Sequence, residues 1–164
     1  EAPNAALLHH AMGNVYVREE NYEKALEYYH NSLALYPLYH AAYNNIGTIY
    51  SKHALYDEAI TAFKEAIKIN PDYIQSHFNL GTTYYQKGMT EDASREFKIV
   101  LAFNKNYVKA HNNLGIIYAE KGLLNEAIAE FEEVLRHEPH NEKARNNLEI
   151  IKEELARKPS DKNL

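Results

Sequence analysis

The stretch HNNLGIIYAEKG, His111 to Gly122, has a near copy in YNNIGTIYSKHA, Tyr43 to Ala54. Each sets two asparagines ahead of an apolar residue and a glycine, inside apolar spacing that is helical. Asparagine is a poor helix-interior residue, because its amide competes for backbone hydrogen bonds. Its recurrence therefore asks for a reason. Working outward, Gly13, Gly47, Gly81 and Gly115 stand 34 residues apart, and so do Gly88 and Gly122, so every glycine lies on one lattice. Tyr16, Tyr50, Tyr84 and Tyr118 follow the same step, as do Ala25, Ala59, Ala93 and Ala127, and the aromatic row Tyr29, Phe63, Phe97 and Phe131. Pro37, Pro71 and Pro139 close three units, and Lys105 stands where the third would have its proline.

Within a unit, Ile46, Ile49 and Tyr50 share one helix face, and Ala59, Ile60, Phe63, Ala66 and Ile67 share another. Short polar breaks (KHAL at 52–55, QKGM at 86–89, EKGL at 120–123) separate the two runs. Thr90 with Glu91 and Asp92 reads as an N-cap followed by an acidic first turn. The pattern predicts helix pairs near 5–36, 39–70, 73–104 and 107–138. A glycine without Cβ lets the partner helix approach, and the aromatic row fills the space between pairs. One pair cannot bury its apolar face alone, so the pairs must stack.

Composition narrows the function classes. The chain has 164 residues, 45% hydrophobic and 25% charged, with a formal charge of -5. An acidic balance gives no electrostatic footprint for nucleic acid. No apolar run approaches the roughly 20 residues of a membrane span, and no signal-peptide pattern opens the chain. It begins at Glu1, which points to a piece of something longer or processed. The absence of cysteine removes disulfides, thiolate nucleophiles and cysteine zinc sites, and fits either redox compartment. Nine histidines raise a metal hypothesis, but His9, His77 and His111 are lattice positions, and His9–His10 and His137/His140 lack further ligands at a recognised spacing. No metal or other cofactor is expected. No Ser–His–Asp set, phosphate loop or HExxH motif appears, so the chain reads as non-catalytic. Tyr36, Tyr39, Tyr56, Tyr73 and Tyr107 fall at turns and offer a patch to a partner.

The lattice resembles the tetratricopeptide repeat (TPR) family. Its run of a bulky residue, Leu-Gly, Tyr, Ala, Phe, Ala and Pro is matched by Tyr43, Ile46, Gly47, Tyr50, Ala59, Phe63, Ala66 and Pro71. The resemblance implies an all-α, right-handed superhelical solenoid of antiparallel helix pairs. The repeats fall at about 6–39, 40–73, 74–107 and 108–141, within a single array over 1–157. RNNLEI at 145–150 restarts the motif with Glu149 for the glycine and Lys152 for the tyrosine, the mark of a polar capping helix over 142–157. Residues 158–164 read as a flexible tail.

If the family's geometry holds, first-helix positions line the concave wall. The resemblance then places Asn14, Asn44, Asn45, Thr48, Phe78, Asn79, Thr82, Tyr85, Lys109, Asn112, Asn113, Lys143 and Asn147 in a peptide groove. Amides can donate to and accept from an extended backbone. They can equally bond to an adjacent helix and set the stacking angle, and both readings stay open. Family members that capture chaperone tails use lysines and an arginine over three first helices. Those places hold His10, Gln75 and Asn79 in one frame, Asn44, Lys109 and Asn113 in the next, and Phe78, Lys143 and Asn147 in the last, so no frame assembles that clamp. The expected role is a protein-interaction scaffold for an extended peptide of a protein partner. The alternatives are a self-associating module, cued by the apolar start ALLHHAM, and the substrate-selecting domain of a larger protein such as a glycosyltransferase.

Overall fold

The computed structural model describes residues 2–157, and all of its regular structure there is helical. The elements are α1 (Ala2–Arg18), α2 (Tyr22–Leu35), α3 (His40–Lys52), α4 (Tyr56–Ile69), α5 (Ile74–Gln86), α6 (Thr90–Phe103), α7 (Val108–Glu120), α8 (Leu124–His137) and α9 (Glu142–Arg157). They form four helix pairs and a final single helix. The tail expected at 158–164 lies outside the described residues.

The hairpin turns explain why helix breaks fall where they do. Glu20, Ala54, Gly88 and Gly122 occupy one lattice position, and all have positive φ, at 57°, 59°, 83° and 71°. The next residue's N–H returns to the carbonyl of the lattice tyrosine: Asn21 to Tyr16, Leu55 to Tyr50, Met89 to Tyr84 and Leu123 to Tyr118, at 2.8 to 2.9 Å. With the companion bonds Ala54 to Ser51, Gly88 to Tyr85 and Gly122 to Ala119, this is a Schellman ending, which satisfies the last carbonyls of the helix. Each following helix carries acid in its first turn (Glu23, Asp57 and Glu58, Glu91 and Asp92, Glu126), where the positive end of the helix dipole favours it. Thr90 opens α6 rather than preceding it, and its Oγ1 donates to Glu91.

The chain divides into two compact units, one up to Glu96 and one from Phe97, with the boundary inside α6. In the first unit Ala25, Tyr29, Ile46, Ile49 and Ala62 form a core, with Tyr16, Val17 and Tyr50 packed against it. In the second, Leu124, Ala127, Phe131 and Val134 of α8 bury Ala144, Leu148 and Ile151 of α9. A Cβ on Gly13, Gly47 or Gly115 would come within 2.5, 2.8 and 2.9 Å of the rings of Tyr29, Phe63 and Phe131. The lattice glycines thus mark ring-on-backbone contact.

The lattice histidines tie helices and turns together. His77 is buried; its Nδ1 lies 2.7 Å from Glu96 Oε2 and its Nε2 2.9 Å from the Pro71 carbonyl. The second unit repeats this: His111 Nδ1 meets Glu130 Oε2 at 2.6 Å, and Nε2 meets the Lys105 carbonyl at 2.9 Å. In α9 the equivalent residue is Arg145, which donates to the Pro139 carbonyl at 2.7 Å. The missing proline at Lys105 therefore changes little, because the turn carbonyl still has its donor. His9 is different: it packs on Tyr28, and its buried Nδ1 finds no partner among the described residues.

Candidate functional site

The asparagines of the two units have different surroundings. In the first unit they form a continuous hydrogen-bonded chain across α1, α3 and α5. Asn14 Oδ1 accepts from Tyr29 Oη at 2.7 Å and from Asn45 Nδ2 at 3.0 Å. Asn45 Nδ2 also lies 3.0 Å from His10 Nε2. His10 Nδ1 faces the Tyr39 hydroxyl at 3.3 Å, and burial pushes its pKa down. A neutral ring protonated on Nδ1 satisfies both contacts, with Nε2 accepting from the amide. Asn44 is 4% exposed; its Oδ1 accepts from Ser76 Oγ at 3.1 Å and Asn79 Nδ2 at 3.0 Å, while its own Nδ2 reaches Asn45 Oδ1 at 3.4 Å. Asn79 Oδ1 accepts from Gln75 at 2.8 Å. Thr48 and Thr82 hydroxyls return to carbonyls one turn back, Asn44 and Phe78, at 2.9 and 3.0 Å. Phe78 and Tyr85 are half-buried. Asn44, Asn45 and Asn79 are thus bound between helices, and Asn44 has almost no surface to offer.

In the second unit Asn112, Asn113 and Asn147 are half-buried, and their side chains have no hydrogen-bond partner among the described residues. The cause is visible residue by residue. Asn44 bonds to Ser76; the lattice partner of Asn112 at that place is Ala144. Asn45 bonds to Asn14 and the Tyr29 hydroxyl; the places facing Asn147 hold Ile116 and Phe131, which have nothing to donate or accept. Lys109 and Lys143, also on these first-helix faces, are exposed.

Those same exchanges create a cleft. A recess of about 200 Å³ is lined by Ile116, Ala119 and Glu120 of α7, Phe131 of α8, and Asn147, Ile150, Ile151 and Glu154 of α9. Its lattice counterpart in the first unit is lined by Asn14, Val17, Tyr29, Asn45, Thr48 and Ile49, and measures about 120 Å³. The second-unit recess is larger, and Ile116, Phe131 and Ile150 stand in it where the first has Asn14, Tyr29 and Thr48. Ile150, Ile151 and Glu154 were not among the residues expected at the site, because α9 read as a cap. Three 34-residue steps from Thr48, Ile49 and Lys52 lead to them.

Sequence models of the tetratricopeptide repeat match residues 6–39, 41–70 and 108–141, and models of the TPR repeat match 56–88 and 81–122. The chain belongs to the tetratricopeptide repeat family. Among solved structures, the TPR protein YrrB, described as having an unusual peptide-binding site, is 23% identical with a TM-score of 0.81, over 94% of this chain and 79% of its own. MamA is 18% identical with a TM-score of 0.85, over 93% and 83%. The first TPR of Spaghetti (RPAP3), bound to the HSP90 peptide SRMEEVD, is 28% identical with a TM-score of 0.69, over 71% of this chain and 93% of its own. No curated protein sequence matches.

The TPR frame makes the lattice positions comparable. Among the described residues, no three His, Asp or Glu side chains are grouped so as to hold a metal. No described helix is long and apolar enough to cross a membrane. TPR repeats are generally non-catalytic interaction modules, so the unpartnered amides and the apolar cleft are the places to seek a function.

Proposed function

We propose that this TPR array is a non-catalytic scaffold that holds an extended peptide segment of a protein partner on its first-helix faces. The observation that carries the reading is in the second unit: the amides of Asn112, Asn113 and Asn147 have no hydrogen-bond partner among the described residues, and Asn147 lines a cleft with Ile116, Phe131 and Ile150. Half-exposed amides that no neighbouring helix engages remain available to a peptide backbone, which supplies one donor and one acceptor per residue. An adjoining apolar recess supplies the anchor that such complexes need. The peptide-binding TPR neighbours support the same reading. In the first unit the rows of Asn14, Asn45, Thr48, Phe78, Asn79, Thr82 and Tyr85 lie on equivalent faces, with their amides bonded between helices; that surface is an accessory one, and Asn44 holds helices together.

An array of unstructured peptides, probed with the native chain and with an Asn113→Ala/Asn147→Ala double variant of unchanged helicity, tests this. Binding that falls at least tenfold in the variant is the expected result. Equal binding, or none, sinks it. One observation favours self-association instead: Leu7 and Leu8 on α1 are 51% and 66% exposed. A mass that rises with concentration in light scattering, together with a blank array, is its signature.

A further inference from the structure

The first-helix faces of the second unit carry a doubled sequence of chemistries. Because α7 and α9 stand one repeat apart, each lattice row is occupied twice by the same residue type: Lys109 with Lys143, Asn113 with Asn147, Ile116 with Ile150, Glu120 with Glu154. Along the helix direction the face runs cationic, amide, apolar, anionic. In the first unit the same rows read differently, with Asn14, Thr48 and Thr82 for the isoleucines and Arg18, Lys52 and Gln86 for the glutamates. The charge order is therefore a property of this unit and not of the repeat.

The arrangement has the physical marks of a recognition surface. Lys109 and Lys143 are exposed, and neither pairs with a carboxylate among the described residues. The other cations of α9 are engaged elsewhere: Arg145 donates to the Pro139 carbonyl at 2.7 Å, and Lys152 pairs with Glu132 and Arg157 with Glu153, both at 3.1 Å. Ile150 is 64% exposed, a large aliphatic side chain held beside the cleft, and Ile116 and Phe131 form its apolar lining. Glu120 and Glu154 also line the same cleft. Electrostatic complementarity fixes register and rejects wrong partners more than it adds raw affinity, which is the use a charge order serves.

We propose that the α7/α9 face selects an extended partner segment carrying an acidic residue, a bulky aliphatic residue and a basic residue in that order, with the aliphatic side chain in the Ile116–Phe131–Ile150 cleft. This rests on the peptide-binding reading and adds the chemistry of the ligand. Spacing follows from geometry. Lys109 to Ile116 spans about 10 Å and Ile116 to Glu120 about 6 Å along a helix. At about 3.3 Å per extended residue, these distances set the acidic residue roughly three positions from the aliphatic one and the basic residue roughly two positions beyond it.

Fluorescence anisotropy on the full chain tests this with three fluorescein-labelled peptides: GSDDSGLSKKGS, the same with serine for leucine, and the all-basic GSKKSGLSKKGS. The expected result is that the first binds at least tenfold more tightly than either of the others. A Lys109→Glu/Lys143→Glu variant should then prefer the all-basic peptide, and Ile150→Ser, at an exposed site that the fold does not need, should weaken the leucine peptides tenfold. If array peptides bind and are lost in the Asn113→Ala/Asn147→Ala variant, yet the three designed peptides bind alike or not at all, the charge order is overturned and the peptide scaffold stands. If neither the array nor the designed peptides bind, both fall.

Discussion

At the scale of single residues, one amino-acid type serves two ends according to what faces it. Asn44 and Asn112 share a lattice row. The first is buried because Ser76 and Asn79 receive it, and the second keeps an open amide because Ala144 replaces the serine. His77 shows the same dependence on neighbours. Both ring nitrogens face acceptors, Glu96 and the Pro71 carbonyl, so the ring that satisfies both is the imidazolium, donating twice. The hydrogen bond to Glu96 holds its pKa above the ordinary histidine value, against desolvation, with the Pro71 carbonyl and the charges of Glu96 and Asp72 adding to the rise. A raised folded-state pKa gives stability that is complete below the unfolded value of about 6.5 and is lost as pH climbs through the folded value. The urea midpoint of the native chain should therefore fall between pH 6 and pH 8, and His77→Gln should flatten that fall. A pH slope unchanged in the variant would show that the pair does not couple to folding.

At the scale of elements, the helices were legible and their exact ends less so. Two periods, one helical and one of 34 residues, predict every pair, because repeat positions are constrained by contact with the next helix. Thr90 was misplaced by one residue because a capping preference is weak beside the Schellman turn that precedes it, whose αL position at Gly88 sets where α6 begins. That turn yields a prediction. Glu20 and Ala54 occupy the left-handed conformation that Gly88 and Gly122 take without strain. A side chain there costs about 1–2 kcal/mol, and the extra freedom of glycine in the unfolded chain returns about 0.5–1 kcal/mol of that. Ala54→Gly should thus stabilise the chain by roughly 0.5–1 kcal/mol, and Gly122→Ala should destabilise it by a similar amount. Chemical denaturation of the two variants beside the native chain decides it. A loss of stability in Ala54→Gly would mean that the turn is not strained.

At the scale of the whole molecule, the succession of helix pairs and the single helix after them were visible in the sequence, while the fate of the asparagine rows was not. Their roles depend on hydroxyls and amides 31 to 35 residues away, such as Asn14 beside Asn45 or Ser76 beside Asn44, which single-row reading passes over. The last helix combines two demands. Its inner face gives Ala144, Leu148 and Ile151 to the α8 core, and its outer residues, among them Glu149, Lys152 and Glu153, meet water where another repeat would have placed glycine and tyrosine. A repeat array needs such an end, because an uncovered apolar face recruits a copy of itself. Ending the chain after Asn141 should therefore uncover Leu124, Phe131 and Val134 of the second unit. The shortened chain is expected to melt at a lower temperature and to gain mass with concentration in light scattering, whereas Lys152→Ala, which leaves the buried face intact, stays monodisperse. A shortened chain with unchanged melting and a constant mass would show that α9 is not the cap of this array, and its lysine, asparagine, isoleucine and glutamate rows would then have to be explained by ligand contact alone.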